Sequence, residues 1–249
     1  MPSTTELAPA NPMAHLKDLQ RLQREVQEDL RQRCDEVAEL RERLQADYQA
    51  ARDRGRTTST YGEWREQSIT QSAAAWVLAC VFVRYLEDHE LVDEVWLAGH
   101  GEERFQRALD SHEAYFQHNP AHSDREYLQH VFRTVAGLPG CSALFGEDRN
   151  PLWQLGVSGD MARALLAFFR ERDPRTGHLV RPFGTGEGDT RFLGDLYQDL
   201  SENARKRYAL LQTPDFVEEF ILDRTLTPAT EEFDLAQVRM IDPACGSGH

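Results

Sequence analysis

Lysine is almost missing from this chain: Lys17 and Lys206 are the only two, so arginine supplies nearly all of its 28 basic groups. That bias reads as GC-rich coding rather than a site crowded with guanidinium clamps. Basic groups are also the minority, since 42 Asp and Glu leave a net charge of −14. So acidic a chain argues against a stand-alone nucleic-acid binder, because neutralising phosphate takes clustered Lys and Arg. Cysteine is sparse: Cys34, Cys80, Cys141 and Cys245 stand apart without a CxxC pair, which argues against a disulfide scaffold or a zinc knuckle and fits a reducing, cytoplasmic setting. No uninterrupted apolar run exceeds Ala73 to Val83, well short of the ~20 residues that span a bilayer. Met1 to Pro12 lacks the basic-then-apolar order of a signal peptide and reads as a polar, disordered lead-in, residues 1–13. No membrane partner and no metal site are expected.

What the chain does have is helical periodicity. Gly and Pro are absent from Met13 to Arg54. Through that stretch Leu19, Leu22, Val26, Leu30, Cys34, Val37, Leu40, Leu44, Tyr48 and Ala51 step by three or four residues, the period of an ordinary α-helix. The spacing predicts one helix from about Ala14 to Arg54, roughly 60 Å long, stopped by Gly55. Trp64 to Leu97 reads as its partner in a long hairpin, with an all-apolar centre that belongs inside a bundle. Shorter helices are expected at about Glu102–Gln117, Asp124–Ala136 and Asp160–Glu171, the second opened by the capping box Ser123-x-x-Glu126 and the third by Ser158 or Asp160. Residues 14–172 thus form a helical N-terminal domain. Residues 173–190, rich in Pro and Gly, read as a connector; Gly184 to Gly188 lacks the Lys-Ser/Thr ending of a phosphate loop and reads as plain loop.

Beyond the connector, a short helix is expected at about Leu193–Ser201. Another is expected from Pro214 to about Arg224, capped by Thr213 and burying Phe216, Val217, Phe220 and Ile221. Val238 to Ile241 reads as a strand running into Asp242-Pro243-Ala244-Cys245-Gly246-Ser247-Gly248-His249. A strand, an acidic residue at its carboxyl end and a tight Gly-x-Gly turn are how an open α/β sheet begins a nucleotide-type site.

That eight-residue string closely resembles motif I, the S-adenosylmethionine-binding signature of amino-group (N6-adenine) DNA methyltransferases. Leu211-Gln212-Thr213-Pro214 sits where that family has its Tyr-Thr-Pro element, motif X, with Gln212 in place of the usual aromatic. Leu193-Gly194-Asp195-Leu196-Tyr197 resembles the short helix that precedes it. The order of helical domain, motif X and motif I is the gamma arrangement, and the whole is similar to the start of a phage-defence adenine methyltransferase of the PglX type, found in phage-growth-limitation and BREX systems. The resemblance implies a mainly α chain: a helical bundle followed by the truncated start of an α/β, Rossmann-like methyltransferase domain at 191–249. It implies S-adenosylmethionine as cofactor, held by Thr213, Pro214, Asp242, Pro243, Ala244, Cys245, Gly246, Ser247 and Gly248. It further implies double-stranded DNA as partner, met through another part of the enzyme.

The family's catalytic motif, Asn/Asp-Pro-Pro-Tyr/Phe, does not occur in these 249 residues, so no catalytic residue is assigned. In the gamma order it follows motif I, and the sequence reads as the front part of a longer enzyme. Asn150-Pro151-Leu152-Trp153 has one proline and lies upstream of the cofactor loop, so it is a poor substitute. His118 and His122 are separated by Asn119-Pro120, which breaks the helix that would align them on a metal, and His112-Glu113 has no second His at metalloprotease spacing. Cys245 reads as packing beside the cofactor rather than as a nucleophile. The alternative is an interaction module, the bundle docking other subunits of a defence complex while the chain itself is inactive.

Overall fold

The computed structural model describes residues 15–148, 150–184, 191–200 and 215–241. The chain divides into two compact units, residues 1–201 and 202–249. The first is mainly helical: α1 (Leu16–Glu36), α2 (Ala38–Asp53), α3 (Tyr61–Asp88), α4 (Gly101–His118), α5 (Asp124–Ala136), α6 (Ser142–Phe145), a 3₁₀ turn (Pro151–Trp153), α7 (Gly159–Arg170) and α8 (Arg191–Leu200).

The first expected helix is two helices. Val37 is extended (φ −95°, ψ 106°) and separates α1 from α2. A β-branched residue accepts that conformation readily, and the break forfeits little hydrogen bonding. Val37 N–H still donates to Arg33 O, and Arg41 Nη1 donates to Asp35 O, a carbonyl at the break. The bend lets α1 lie along α3, α7 and α8 while α2 packs on α1 and α3. The apolar stripe does what its period predicts: Leu19, Leu22, Val26, Leu30, Cys34, Leu44 and Tyr48 are buried. Gly55, at φ +65°, ends α2 in a Schellman turn, with Arg56 N–H on Ala51 O and Gly55 N–H on Arg52 O.

Helix α3 is the centre of the bundle. Thr60 and Glu63 cap its start reciprocally. Ile69, Ala73, Trp76, Val77, Cys80, Val81 and Val83 are fully or almost fully buried. By length and composition α3 could cross a membrane, but 72% of that apolar window is buried by the helices around it. Two of its polar atoms tie down the chain after α6: Ser72 Oγ donates to Pro151 O and Trp76 Nε1 to Leu155 O, both at 2.9 Å.

The expected continuation of this helix to Leu97 is not found, because α3 stops at Asp88. The stop is a second Schellman turn, with Leu91 N–H on Leu86 O and Glu90 N–H on Glu87 O. Its left-handed residue is Glu90 (φ 54°), so no glycine advertises it. The chain then turns back, and Val95 to Gly99 are buried against the end of the helix. Glu87 holds them there. Its carboxylate is fully buried and accepts four consecutive backbone N–H groups, from Trp96, Leu97, Ala98 and Gly99, at 2.7–3.0 Å. The carbonyls of the same loop are satisfied from other helices. Tyr127 Oη donates to Trp96 O, and Arg170 donates through Nε to Leu97 O and through Nη2 to Trp96 O.

Arg84, one turn earlier and equally buried, completes the cluster. Its Nη2 donates to both oxygens of Asp88 at 2.8 Å, its Nη1 to Phe169 O at 2.7 Å, and its Nε lies 3.6 Å from Glu87 Oε2. Asp88 in turn accepts from Phe183 N–H at 2.7 Å. Residues 171–184 are therefore attached to the bundle, with Phe183 fully buried and Arg181 stacked on Phe168.

The second unit contains α9 (Asp215–Arg224) and α10 (Leu226–Phe233). The expected buried face of α9 is not buried. Phe216 is 72% exposed and Phe220 61%, and Ile221 is also open, while Val217 is half-buried. Two short helices packed mainly on each other have too little surface to cover these side chains. Val238 to Ile241 is not a strand either, and Met240 and Ile241 are exposed. A strand exists by pairing its backbone with a neighbour, and no strand occurs among the described residues.

Two substitutions test this account. Glu87→Gln replaces a doubly accepting carboxylate by one acceptor and one donor, leaving at least two buried N–H groups unpaired. It is expected to cost about 3 kcal/mol in urea denaturation. Glu90→Gly relieves the left-handed strain at an exposed position and is expected to raise stability by about 1 kcal/mol in the same assay.

Candidate functional site

The residues expected to hold a cofactor, Thr213, Pro214, Asp242, Pro243, Ala244, Cys245, Gly246, Ser247 and Gly248, lie outside the described residues. The structure describes what flanks them: α9, which begins at Asp215, and residues Val238 to Ile241, which carry no regular secondary structure and are exposed from Arg239 onward. It also describes how the first unit holds α8, the last described helix before Thr213 in sequence. Leu196 and Leu200 are fully or almost fully buried, and Leu193 packs on the core. Helix α8 rests on α1 and α3. Gln23, the one buried polar residue of α1, donates from Nε2 to Leu200 O at 2.7 Å. Among the described residues, this is the buried hydrogen bond that joins α8 to α1.

The other residues weighed from the sequence have visible duties. Asn150 is a local cap, its side-chain oxygen accepting from Leu152 N–H at 2.9 Å while Nδ2 donates to Leu144 O. His118 is exposed at the end of α4, with Nδ1 2.8 Å from Ala114 O. His122 is exposed too, with Nδ1 2.8 Å from Tyr115 Oη. His112 meets Asp124, Nε2 to Oδ1 at 2.7 Å, and stands edge-on to Tyr127 and Phe116. Burial pushes the His112 pKa down, against the opposing pull of Asp124. Among the described residues no three His, Cys, Asp or Glu side chains are placed to hold a metal ion. Cys80 is fully buried and burial pushes its thiol far up, so it offers no thiolate at neutral pH.

The described residues of the first unit form at least two concavities. A groove of about 680 Å³ runs between α4 and α5, walled by Trp96, Tyr115, Tyr127, His130, Glu126 and Arg133 among others. A smaller cleft of about 210 Å³ lies at the start of α4 beside residues 172–182. There Arg172 covers the Phe105 ring and pairs with Glu102. Several of their charged groups are engaged locally. Glu126 shows this best. Burial pushes its carboxyl up, but hydrogen bonds from the Ser123 hydroxyl and N–H and from Arg125 outweigh that and hold it at about 2.

Sequence reasoning passed over Glu87, Arg84 and Gln23. A signal was present for each: an ionisable pair closing an apolar helix, and a lone amide inside an apolar stripe. Neither pattern says which backbone groups the side chain meets.

The capping box yields a pH test. The folded pKa of Glu126 lies below the usual 4.5. Its stabilisation is therefore complete above about pH 4.5 and is lost as pH falls toward about 2. Thermal melts of wild type and Glu126→Gln from about pH 6 to about pH 3 are expected to converge at the acid end.

The chain matches no family model and no solved structure. It is 45% identical over 243 residues to "Adenine-specific methyltransferase PglX" of Streptomyces coelicolor. The match takes in 95% of this chain and 20% of that protein, so the chain spans about a fifth of its relative's length. Over nearly all of its own length, the chain is similar to part of that protein.

Proposed function

We propose that this chain is part of a DNA methyltransferase that moves a methyl group from S-adenosylmethionine to N6 of adenine, in a phage-defence or restriction–modification setting in the cytoplasm. The observation that carries the reading is the 45% identity across 95% of the chain to a protein named as an adenine-specific methyltransferase. The Asp242–His249 string supports it independently, since its residue types suit a bound nucleoside: an acidic group, then glycines that let the backbone close on a ligand.

The chain's share of the work is cofactor binding. S-adenosylmethionine, when bound, supplies the methyl group. Asp242, Gly246 and Gly248 are the residues to hold it, with Pro243, Ala244, Cys245 and Ser247 shaping the turn and Thr213 and Pro214 contributing from motif X. The target adenine must leave the duplex to be reached, as for other enzymes that act on a base. No Asn/Asp-Pro-Pro-Tyr/Phe motif is available here to orient its amine. With a net charge of −14 the chain is also a poor surface for phosphate. Duplex contact and amine chemistry are therefore assigned to residues elsewhere in the enzyme, and the helical bundle is a candidate dock for other subunits.

Calorimetric titration of the full-length protein carrying this sequence with S-adenosylmethionine tests the reading. Binding is expected for wild type. Asp242→Ala is expected to weaken it by about a hundredfold, the scale of losing a charge-assisted hydrogen bond. Equal affinity in the two proteins would contradict the assignment.

A further inference from the structure

We propose that the turn joining α2 to α3 is a contact surface for the phosphate backbone of double-stranded DNA, carried by Arg52, Arg54 and Arg56. The proposal rests on the methyltransferase reading for its partner and on the described bundle for its geometry. It is a local exception to the unfavourable net charge, and it leaves base recognition and amine chemistry with residues elsewhere in the enzyme.

In a chain with so many carboxylates, most arginines of the first unit are engaged. Arg31 meets Glu66, Arg65 meets Asp35, Arg133 meets Glu147 and Arg181 meets Glu171. Others, such as Arg33 and Arg170, donate to backbone carbonyls. Arg52, Arg54 and Arg56 do neither. Their side chains are exposed and meet no acceptor, carboxylate or ring among the described residues. Arg24 and Arg43 are unpaired too, but each is single in its stretch; at this turn three fall within five residues. Asp53 is the one acidic group between them, and its carboxylate accepts from Gln49 Nε2 at 2.8 Å.

Arginine at a helix C-terminus ordinarily complements the helix dipole. Here the last carbonyls of α2 already have backbone partners: Arg54 N–H on Ala50 O, Arg56 N–H on Ala51 O and Gly55 N–H on Arg52 O. Arg56 also lies beyond the helix, so the helix end does not account for the cluster. The backbone that carries it is held fixed. Gly55 makes the left-handed turn, Tyr48 Oη donates to Ser59 O at 3.0 Å, and Thr60 and Glu63 cap the start of α3. A fixed backbone with free charged ends meets a partner at a lower ordering cost than a flexible tail.

Duplex DNA presents one negative charge per ~1.7 Å of axis, and a guanidinium can meet a phosphate through two parallel N–H bonds. Thr58, exposed beside the arginines, adds a hydroxyl of the kind that shares phosphate contacts with them. A contact of this composition adds affinity without reading sequence.

The experiment measures duplex binding by the full-length protein as a function of salt, on two short duplexes of unrelated sequence. Wild type is compared with three variants. One carries Arg52→Gln, Arg54→Gln and Arg56→Gln together, and a second has lysine at the same three positions. The third is a charge-matched control with Arg21→Gln, Arg24→Gln and Arg175→Gln. Each phosphate contact contributes about 0.9 to the slope of log K against log salt. The glutamine variant is expected to lose about 2 from that slope and about tenfold in affinity near physiological salt, equally on both duplexes. The lysine variant and the control are expected to keep the wild-type slope, and all thermal melts to coincide. An unchanged slope in the glutamine variant overturns the proposal. So does an equal loss in the control, which would mark bulk charge as the cause, or in the lysine variant, which would show that charge is not what matters. A loss on one duplex alone overturns it as well, by marking base reading. Titration with S-adenosylmethionine separates this proposal from the reading beneath it. A wild-type protein that binds neither cofactor nor duplex overturns both; one that binds cofactor but no duplex, or keeps its slope in the glutamine variant, overturns the proposal alone.

Discussion

A buried carboxylate in an apolar bundle is costly unless every oxygen has partners. Glu87 meets that condition with four backbone N–H groups on consecutive residues, and the first unit is arranged around it. The central helix ends where Glu87 can face the returning loop. That loop, once its N–H groups are engaged, turns its carbonyls toward Tyr127 of α5 and Arg170 of α7. Three helices thus converge on one stretch of irregular backbone. Arg84 balances the charge and, through Asp88, extends the cluster to Phe183. Loss of a single member would strand several polar groups at once, so the cluster behaves as a unit.

The same cluster decides how far the bundle reaches along the chain. Phe183 is buried between the ends of α3 and α7, and its N–H is held by Asp88. The proline- and glycine-rich stretch around it reads as a connector by composition, yet residues 171–184 lie on the bundle. A few residues later α8 does so as well. The first compact unit accordingly runs to Ser201 and takes in α8.

Legibility varied with the physics behind each feature. The stripe from Leu19 to Tyr48 was readable because burying one face of a helix imposes its period on the sequence. Gly55 and the Ser123–Glu126 box were readable because few residue types satisfy those backbone requirements. The end of α3 was not, because Glu90 adopts the left-handed conformation without being glycine, at a strain that the Glu87 loop offsets. The break at Val37 was hidden for a related reason: the period continues across it, and its benefit arises only when α2 reaches Tyr61 and Trp64. Phe216 and Phe220 carried the opposite error. Their pattern promised a buried face, but burial needs a second surface, and α10 alone does not supply one.

By itself the sequence determined the helical class and most helix boundaries, because period, capping and glycine requirements are local properties of a chain. Tertiary structure alone decided that Glu87 would gather a loop, that Arg84 and Asp88 would tie it to Phe183, and that Gln23 would meet the last carbonyl of α8. Those outcomes join residues about ten to 177 positions apart. A side chain's type announces only that it wants a partner; packing decides which backbone group arrives to be one.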